Sequence, residues 1–324
     1  MEFVPRRRLE LVSGRSHPEL AREIAGKLGV ELGEANLREF ANGEIHCRYD
    51  SSIRGSDVFI VQTHCGPVND SLMEHLIMID AAKRASAKSI TAVAPNYGYA
   101  RQDRKSTGRE PISAKLIANM LQTAGADRVL SVDFHSGQIQ GFFDIPVDHL
   151  VAAPVLETYL RAHVDPHSIV VVAPDAGRVK VAERYAQHLG CDLALVHKTR
   201  PHGMANVAEA RHVVGSVRGR HCVVIDDMID TAGTIVAACD LLRAHGAEDI
   251  WVMATHAVFS PPAAERLFNA PVGRVIVTDT LPLRPEQRFE KLEVLSIATI
   301  IANAIAAIFE ESSVSSIFGG ENQV

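Results

Sequence analysis

Two adjacent carboxylates, Asp226 and Asp227, close the apolar run Cys222–Ile225, and a loop of small residues, Asp230-Thr231-Ala232-Gly233-Thr234, leads from them into a helical pattern. Small residues let backbone N–H groups converge on an anion, a glycine at position 233 suits a left-handed conformation, and a helix N-terminus adds donors and a favourable dipole. Thr231 and Thr234 offer hydroxyl donors or helix caps. At the carboxyl edge of a parallel sheet the two acids open toward ligand, where they accept hydrogen bonds from vicinal sugar hydroxyls or hold magnesium through water. Helix capping would explain Asp230 and Thr234 singly. The ordered succession of strand, acid pair, small-residue loop and helix points to a phosphate site.

A second concentration of chemistry is Asn96–Pro111, NYGYARQDRKSTGREP, in which Arg101, Arg104, Lys105 and Arg109 place four cations within nine residues. Tyr97, Tyr99 and Gln102 supply aromatic and amide surfaces beside them. A solvated basic turn is the plain reading of that composition; guanidinium pairing with phosphates and stacking on a purine is the functional one. His135 ends another predicted strand, with Asp133 two residues earlier on the same side of the pleat. A histidine so placed is more often structural than catalytic. His197–Gly203 (HKTRPHG) reads as a mobile basic loop after the strand Leu193–His197.

These segments together resemble the ribose-phosphate diphosphokinases. Cys222–Leu242 is similar to the phosphoribosyl-diphosphate-binding motif that those enzymes share with type I phosphoribosyltransferases, in which the loop cradles the 5-phosphate and the acids hold the ribose 2- and 3-hydroxyls. Asn96–Pro111 resembles the family's adenine-nucleotide loop nearly residue for residue. So do Phe40–Glu44 (FANGE), Asp133–Asp144 and Asn206–Glu209, and the resemblance runs from about Leu11 to Phe318.

The resemblance implies a fold of two tandem phosphoribosyltransferase-like domains, α/β in class, each a mostly parallel sheet flanked by helices. It implies that the diphosphoryl group of ATP passes to the anomeric hydroxyl of ribose 5-phosphate with magnesium as cofactor. By the same likeness Phe40, Asn42, Gly43, Glu44, Arg101 and Gln102 meet ATP, and Asp226, Asp227, Asp230, Thr231, Ala232, Gly233 and Thr234 meet ribose 5-phosphate. His135 and Asp175 would hold the metal directly or through water. Lys198 and Arg200 would stabilise the diphosphoryl group in transfer, Arg200 also reaching ribose 5-phosphate. The family's hexameric, phosphate-activated and ADP-inhibited class is suggested by the ending Ser313–Phe318, which assigns Ser313, Ser315 and Phe318, with Arg54, to a regulatory site. The chain departs from the family pattern with Asn42 for a common aspartate, Ala176 for a frequent histidine, and Thr199 for a second basic residue.

Two other readings compete. A transferase that consumes phosphoribosyl diphosphate shares the acid-pair loop but has no use for the segment around Arg101. A non-catalytic regulatory homologue would have lost some of Lys198, Arg200, His135 and Asp175, all of which are present.

Positioning such residues requires a scaffold, and the sequence supplies a recognisable one. Apolar runs at Asp57–Thr63, Ser89–Pro95, Arg128–Asp133, Ile169–Ala173, Cys222–Ile225, Ile250–Thr255 and Arg274–Thr278 predict strands, alternating with helical patterns at Pro18–Leu28, Ser71–Arg84, Ala114–Thr123, Val179–Leu189 and Thr234–His245. That alternation predicts parallel sheets covered by helices. Leu121–His135 and Leu242–His256 match at a constant offset of 121 residues, each reading as a helix end, a glycine stop and a strand finishing at histidine. The 324 residues suffice for two domains, expected at 1–150 and 151–324, with about 300–324 packing back on the first.

Composition narrows the classes further. The net charge of -6 argues against a general nucleic-acid binder. The apolar stretch Val294–Phe309 is interrupted by Ser296, Thr299 and Asn303 and falls short of the roughly 20 residues a membrane span needs. The basic start lacks a following apolar run, and Cys47, Cys65, Cys191, Cys222 and Cys239 are scattered singly, which reads as a cytoplasmic protein with reduced thiols and no zinc site.

Overall fold

The computed structural model describes residues 7–199 and 210–318. Two compact α/β units result, one running to Val151 and taking back Thr280–Pro282 and the segment from Ile297, the other formed by Ala152–Asp279 and Leu283–Ser296.

In the first unit the chain forms β1 (Leu9–Ser13), α1 (Pro18–Leu28), β2 (Leu32–Gly33), an antiparallel ribbon of β3 (Ala35–Glu39) and β4 (Ile45–Tyr49), then β5 (Asp57–Val61), α2 (Val68–Arg84), β6 (Ser89–Ala94), α3 (Ser113–Ala124), β7 (Arg128–Val132) and β8 (Val147–Leu150). The main sheet has the order β2-β1-β5-β6-β7-β8, every neighbour parallel. Strands covered on both faces cannot alternate polar with apolar, and β5, Asp-Val-Phe-Ile-Val, is buried at every position. Pro18 opens α1, where its missing N–H costs nothing, and Gly29 ends it in the left-handed region at φ 68°.

The second unit contains α4 (Ala153–His163), β9 (Ile169–Ala173), α5 (Val179–Leu189), β10 (Asp192–Thr199), β11 (Ala210–Val214), β12 (His221–Ile229), α6 (Gly233–Ala244), β13 (Asp249–Ala257), α7 (Ala263–Asn269), β14 (Arg274–Thr278) and β15 (Leu292–Leu295). Its sheet runs β11-β10-β9-β12-β13-β14-β15, with only β10 and β11 antiparallel. Val170, Val172, Cys222, Val224, Leu242 and Val252 are buried in its core. Past this unit α8 (Ala298–Phe309) packs on α1 in the first unit, where Thr63 Oγ1 also donates to Thr280 O at 2.7 Å. Among the described residues no helix is long and apolar enough to cross a membrane.

The internal sequence match has a structural counterpart. α3 feeds β7 and α6 feeds β13, each strand lying next to the strand that precedes that helix, β6 and β12 respectively. The basic segment after β6 therefore holds the same place in its sheet as the small-residue loop after β12.

Candidate active site

In the second unit the acid pair lies within β12, which continues to Ile229, rather than at the end of a strand closing at Ile225. Pairing to β13 extends the strand: Asp226 stands opposite Ala254 and Met228 opposite His256. The turn after the neighbouring strand β9 brings Arg178 to both acids, its Nε 3.0 Å from Asp226 Oδ1 and its Nη2 2.8 Å from Asp227 Oδ1. Asp226 Oδ1 also accepts the Asp227 backbone N–H at 2.9 Å. Burial, followed by the hydrogen bond and charge of Asp227, pushes the Asp226 carboxyl up, while the guanidinium pulls it back.

The small-residue loop then turns into α6 with the left-handed residue at Ala232 (φ 61°) rather than at Gly233, which is already the first helical residue. The N-cap residue of α6, Ala232, makes no side-chain capping hydrogen bond. The first N–H groups of a helix have no intrahelical partner, and donors of that kind can receive an anion. Arg266, on α7, donates from Nη1 to Thr231 O at 2.9 Å and fixes the loop from outside. Thr231, Gly233 and Thr234 are exposed, and Ala232 is buried. Asp175 caps the turn after β9, its Oδ1 accepting the Gly177 N–H at 2.9 Å.

Lys198 and Thr199 lie on β10, not in a loop beyond it, because β10 pairs with β11 through Lys198 opposite Arg211 and Thr199 opposite Ala210. Arg200 and the Asn206–Glu209 motif fall outside the described residues.

In the first unit the segment after β6 is anchored at its start and mid-length. Asn96 Nδ2 donates to His64 O at 2.7 Å, and the Gly98 N–H donates to His64 Nδ1 at 2.9 Å. Tyr97 is buried, its ring edge-on to Phe134 at 5.3 Å and Phe143 at 5.9 Å, so it belongs to the core and offers no stacking surface. Ser113 Oγ donates to Gln102 Oε1 at 2.6 Å, which orients the amide; Arg101, Gln102, Arg104, Lys105 and Arg109 are exposed. Asp103 Oδ2 accepts from Ser136 Oγ at 2.6 Å, and this contact ties the basic segment to the stretch carrying His135. That stretch begins after β7 ends at Val132: Asp133 has φ 40°, so pleat alternation does not relate it to His135.

Phe40, Asn42, Gly43 and Glu44 form the tip of the β3–β4 ribbon. Phe40 N donates to Glu44 O at 2.8 Å, and the Glu44 N–H donates to Asn42 Oδ1 at 3.2 Å. The Asn42 oxygen thus does turn work that an aspartate oxygen would do equally. Phe40 is 47 % exposed, with the Arg38 guanidinium 5.6 Å above its ring. Arg54 is exposed, as are Ser313 and Ser315, whose hydroxyls lie 2.9 Å apart; the Phe318 side chain is outside the described set.

Sequence reasoning missed Arg178 and Arg266, which reach the site from other elements. It had one local signal for Arg178, a basic residue in the turn that carries Asp175.

Residues 9–125 match the family described as the N-terminal domain of ribose phosphate pyrophosphokinase, and residues 198–319 match the phosphoribosyl synthetase-associated domain. The chain is 57% identical to the ribose-phosphate pyrophosphokinase of Streptomyces avermitilis over 312 residues, covering 96% of each. Against the Bifidobacterium longum enzyme of the same name the identity is 54%, covering 98% of this chain and 94% of the relative. The crystal structure of phosphoribosylpyrophosphate synthetase from Mycobacterium smegmatis superimposes with a TM-score of 0.90 at 53% identity, covering 94% of this chain and all of that one.

Proposed function

This chain belongs to the ribose-phosphate pyrophosphokinase family, and from that premise we propose how its residues divide the work of the family's reaction. It is an enzyme that transfers the diphosphoryl group of ATP to ribose 5-phosphate, forming phosphoribosyl diphosphate. The structural observation carrying the site reading is the succession of the acid pair held by Arg178 and the N-terminus of α6, whose N-cap Ala232 makes no side-chain cap: a diol seat and a phosphate seat on consecutive turns of chain.

The 5-phosphate of ribose 5-phosphate sits at Asp230–Thr234, on the first N–H groups of α6 and the hydroxyls of Thr231 and Thr234. Asp226 and Asp227 accept from the ribose 2- and 3-hydroxyls. ATP lies against Phe40, Asn42, Gly43, Glu44, Arg101 and Gln102; the exposed Phe40 ring offers a stacking face, and Arg101 a fork for phosphate oxygens. The anomeric hydroxyl attacks the β-phosphorus in line and displaces AMP, while Lys198 and Arg200 stabilise the negative charge of the diphosphoryl group. No protein nucleophile is required, and burial pushes the Cys47 and Cys222 thiols up to about 11, away from nucleophilic use.

Among the described residues no group of three or more His, Cys, Asp or Glu side chains is arranged to enclose a metal ion. Magnesium needs no such cage, because it keeps several waters and binds through one or two protein groups plus substrate phosphates. The donor set fits that mode: Asp175 supplies a half-buried carboxylate and His135 a half-buried imidazole. When bound there, the ion would offset the charge of the phosphate groups.

We further infer a homo-hexamer activated by phosphate and inhibited by ADP, with Arg54, Ser313, Ser315 and Phe318 at the regulatory site, on the likeness of the Ser313–Phe318 ending to that class. A cytoplasmic location fits the substrates and the five unpaired cysteines. The deciding experiment is a magnesium reaction with ATP and ribose 5-phosphate in which AMP and ADP are resolved. AMP in step with phosphoribosyl diphosphate is expected; ADP in its place would overturn transfer from the β-phosphorus.

A further inference from the structure

Two carboxylates side by side in a half-closed site repel one another and lose water, so a cation beside them offsets part of that cost and can fix how they point. Here the chain supplies it. Arg178 is itself 13% exposed and reaches Asp226 Oδ1 through Nε and Asp227 Oδ1 through Nη2, at 3.0 and 2.8 Å. The guanidinium fork is a rigid plane, so gripping the two acids by separate nitrogens fixes their orientation to each other as well as their charge. The backbone holds the arginine in turn: Arg178 closes the turn capped by Asp175, its N–H donates to Asp175 O at 3.3 Å, and α5 begins at the next residue.

We propose that Arg178 is a positioning residue for ribose 5-phosphate, a built-in counter-ion that grips Asp226 and Asp227 by separate nitrogens and aims them so that they accept the vicinal ribose hydroxyls. The inference rests on the reading of that acid pair as the diol seat. A simple structural ion pair would show in thermal stability alone. A positioning role falls on one substrate.

The variants are R178Q, which removes the charge while keeping a donor, and R178K, which keeps a charge but cannot span two oxygens as a fork. Each is assayed for KM of ribose 5-phosphate, KM of ATP and kcat, and for direct ribose 5-phosphate binding by calorimetry, with melting temperature recorded. In R178Q the KM and Kd for ribose 5-phosphate are expected to rise on the order of tenfold or more, the size of a lost charge-assisted contact. ATP KM stays near the parent value, kcat at saturation changes little, and R178K falls between. Equal shifts in both substrates, or a fall in kcat with ribose 5-phosphate KM unchanged, would overturn the proposal. If R178Q does not fold, R178K decides, and a parental ribose 5-phosphate Kd there would sink it. D226N and D227N separate the two levels: unchanged ribose 5-phosphate binding in both removes the diol seat itself, whereas weakened binding in both with R178Q unaffected removes Arg178 alone.

Discussion

His64 Nδ1 accepts the backbone N–H of Gly98 at 2.9 Å, and this places the imidazole proton on Nε2, which faces His75 Nδ1 at 3.1 Å. The start of the basic segment after β6 is thus fastened to a fully buried ring. A Cβ at residue 98 would meet His64 Cβ at 3.0 Å, so even alanine must push that ring. G98A is expected to raise the KM of ATP several-fold, with ribose 5-phosphate KM nearly unchanged. Steady-state kinetics with each substrate varied in turn checks this; equal shifts in both constants would contradict it.

The same ring makes stability acid-sensitive. Burial pushes His64 down to about 4, and His75 is held low by burial and by His64. Both stay neutral in the folded chain while the unfolded chain protonates near the ordinary value of 6.5. The folded state then binds fewer protons, so the contribution is present above about 6.5 and is lost as the pH falls toward 4. Melting temperatures between neutral pH and pH ~5 are expected to decline in the parent and decline less in H64N. Parallel curves would absolve the pair.

Ser136 donates to Asp103 at 2.6 Å and joins the His135 stretch to the basic segment. S136A leaves the carboxylate without that donor. ATP KM is expected to rise by about the value of one hydrogen bond to a charged group, on the order of tenfold. Ribose 5-phosphate binding, measured by calorimetry, is expected to hold.

Ala232 sits at φ 61°, a conformation an L-residue adopts only under strain. A232G relieves it and is expected to leave activity intact with stability unchanged or raised by up to about 1 kcal/mol. A232V adds a β-branched side chain at a buried position and is expected to weaken ribose 5-phosphate binding and lower the melting temperature. Chemical denaturation and calorimetry read the two effects separately.

K198A is expected to lower kcat on the order of 10²–10³, the usual loss for a donor that acts on charge in the transition state. Ribose 5-phosphate Kd is expected to change far less. An unchanged kcat would take Lys198 out of the chemistry.

Which parts of this protein were legible beforehand follows from how local their causes are. α1 and α5 could be bounded to the residue because a left-handed glycine, Gly29 or Gly190, stops each, and a proline also opens α1. Ile169–Ala173 and Arg274–Thr278 read as strands because burial on both faces leaves no alternation to misread. The acid-pair loop was visible for the same reason, since strand, acids, loop and helix are consecutive. Contacts made through sheet order were not. Arg178 meets Asp226 and Asp227 only because β9 and β12 are neighbours. Tyr97 looked available for stacking because Phe134 and Phe143, which bury it, come much later in the chain. Lys198 looked like a loop residue until its antiparallel partner strand, beginning at Ala210, was located.

The return of α8 to α1 sets an order of events during synthesis. Arg7 bonds Glu311 Oε1 at 2.7 Å and stacks on Phe309 at 4.9 Å, so residues early in the first unit are completed by residues synthesised only after the second unit. The second unit, almost contiguous in the chain, has all its strands in hand earlier. The nascent chain must therefore carry the first unit with the α8-facing side of α1 bare until the whole second unit and α8 have been made, against the usual order in which the earlier domain closes first.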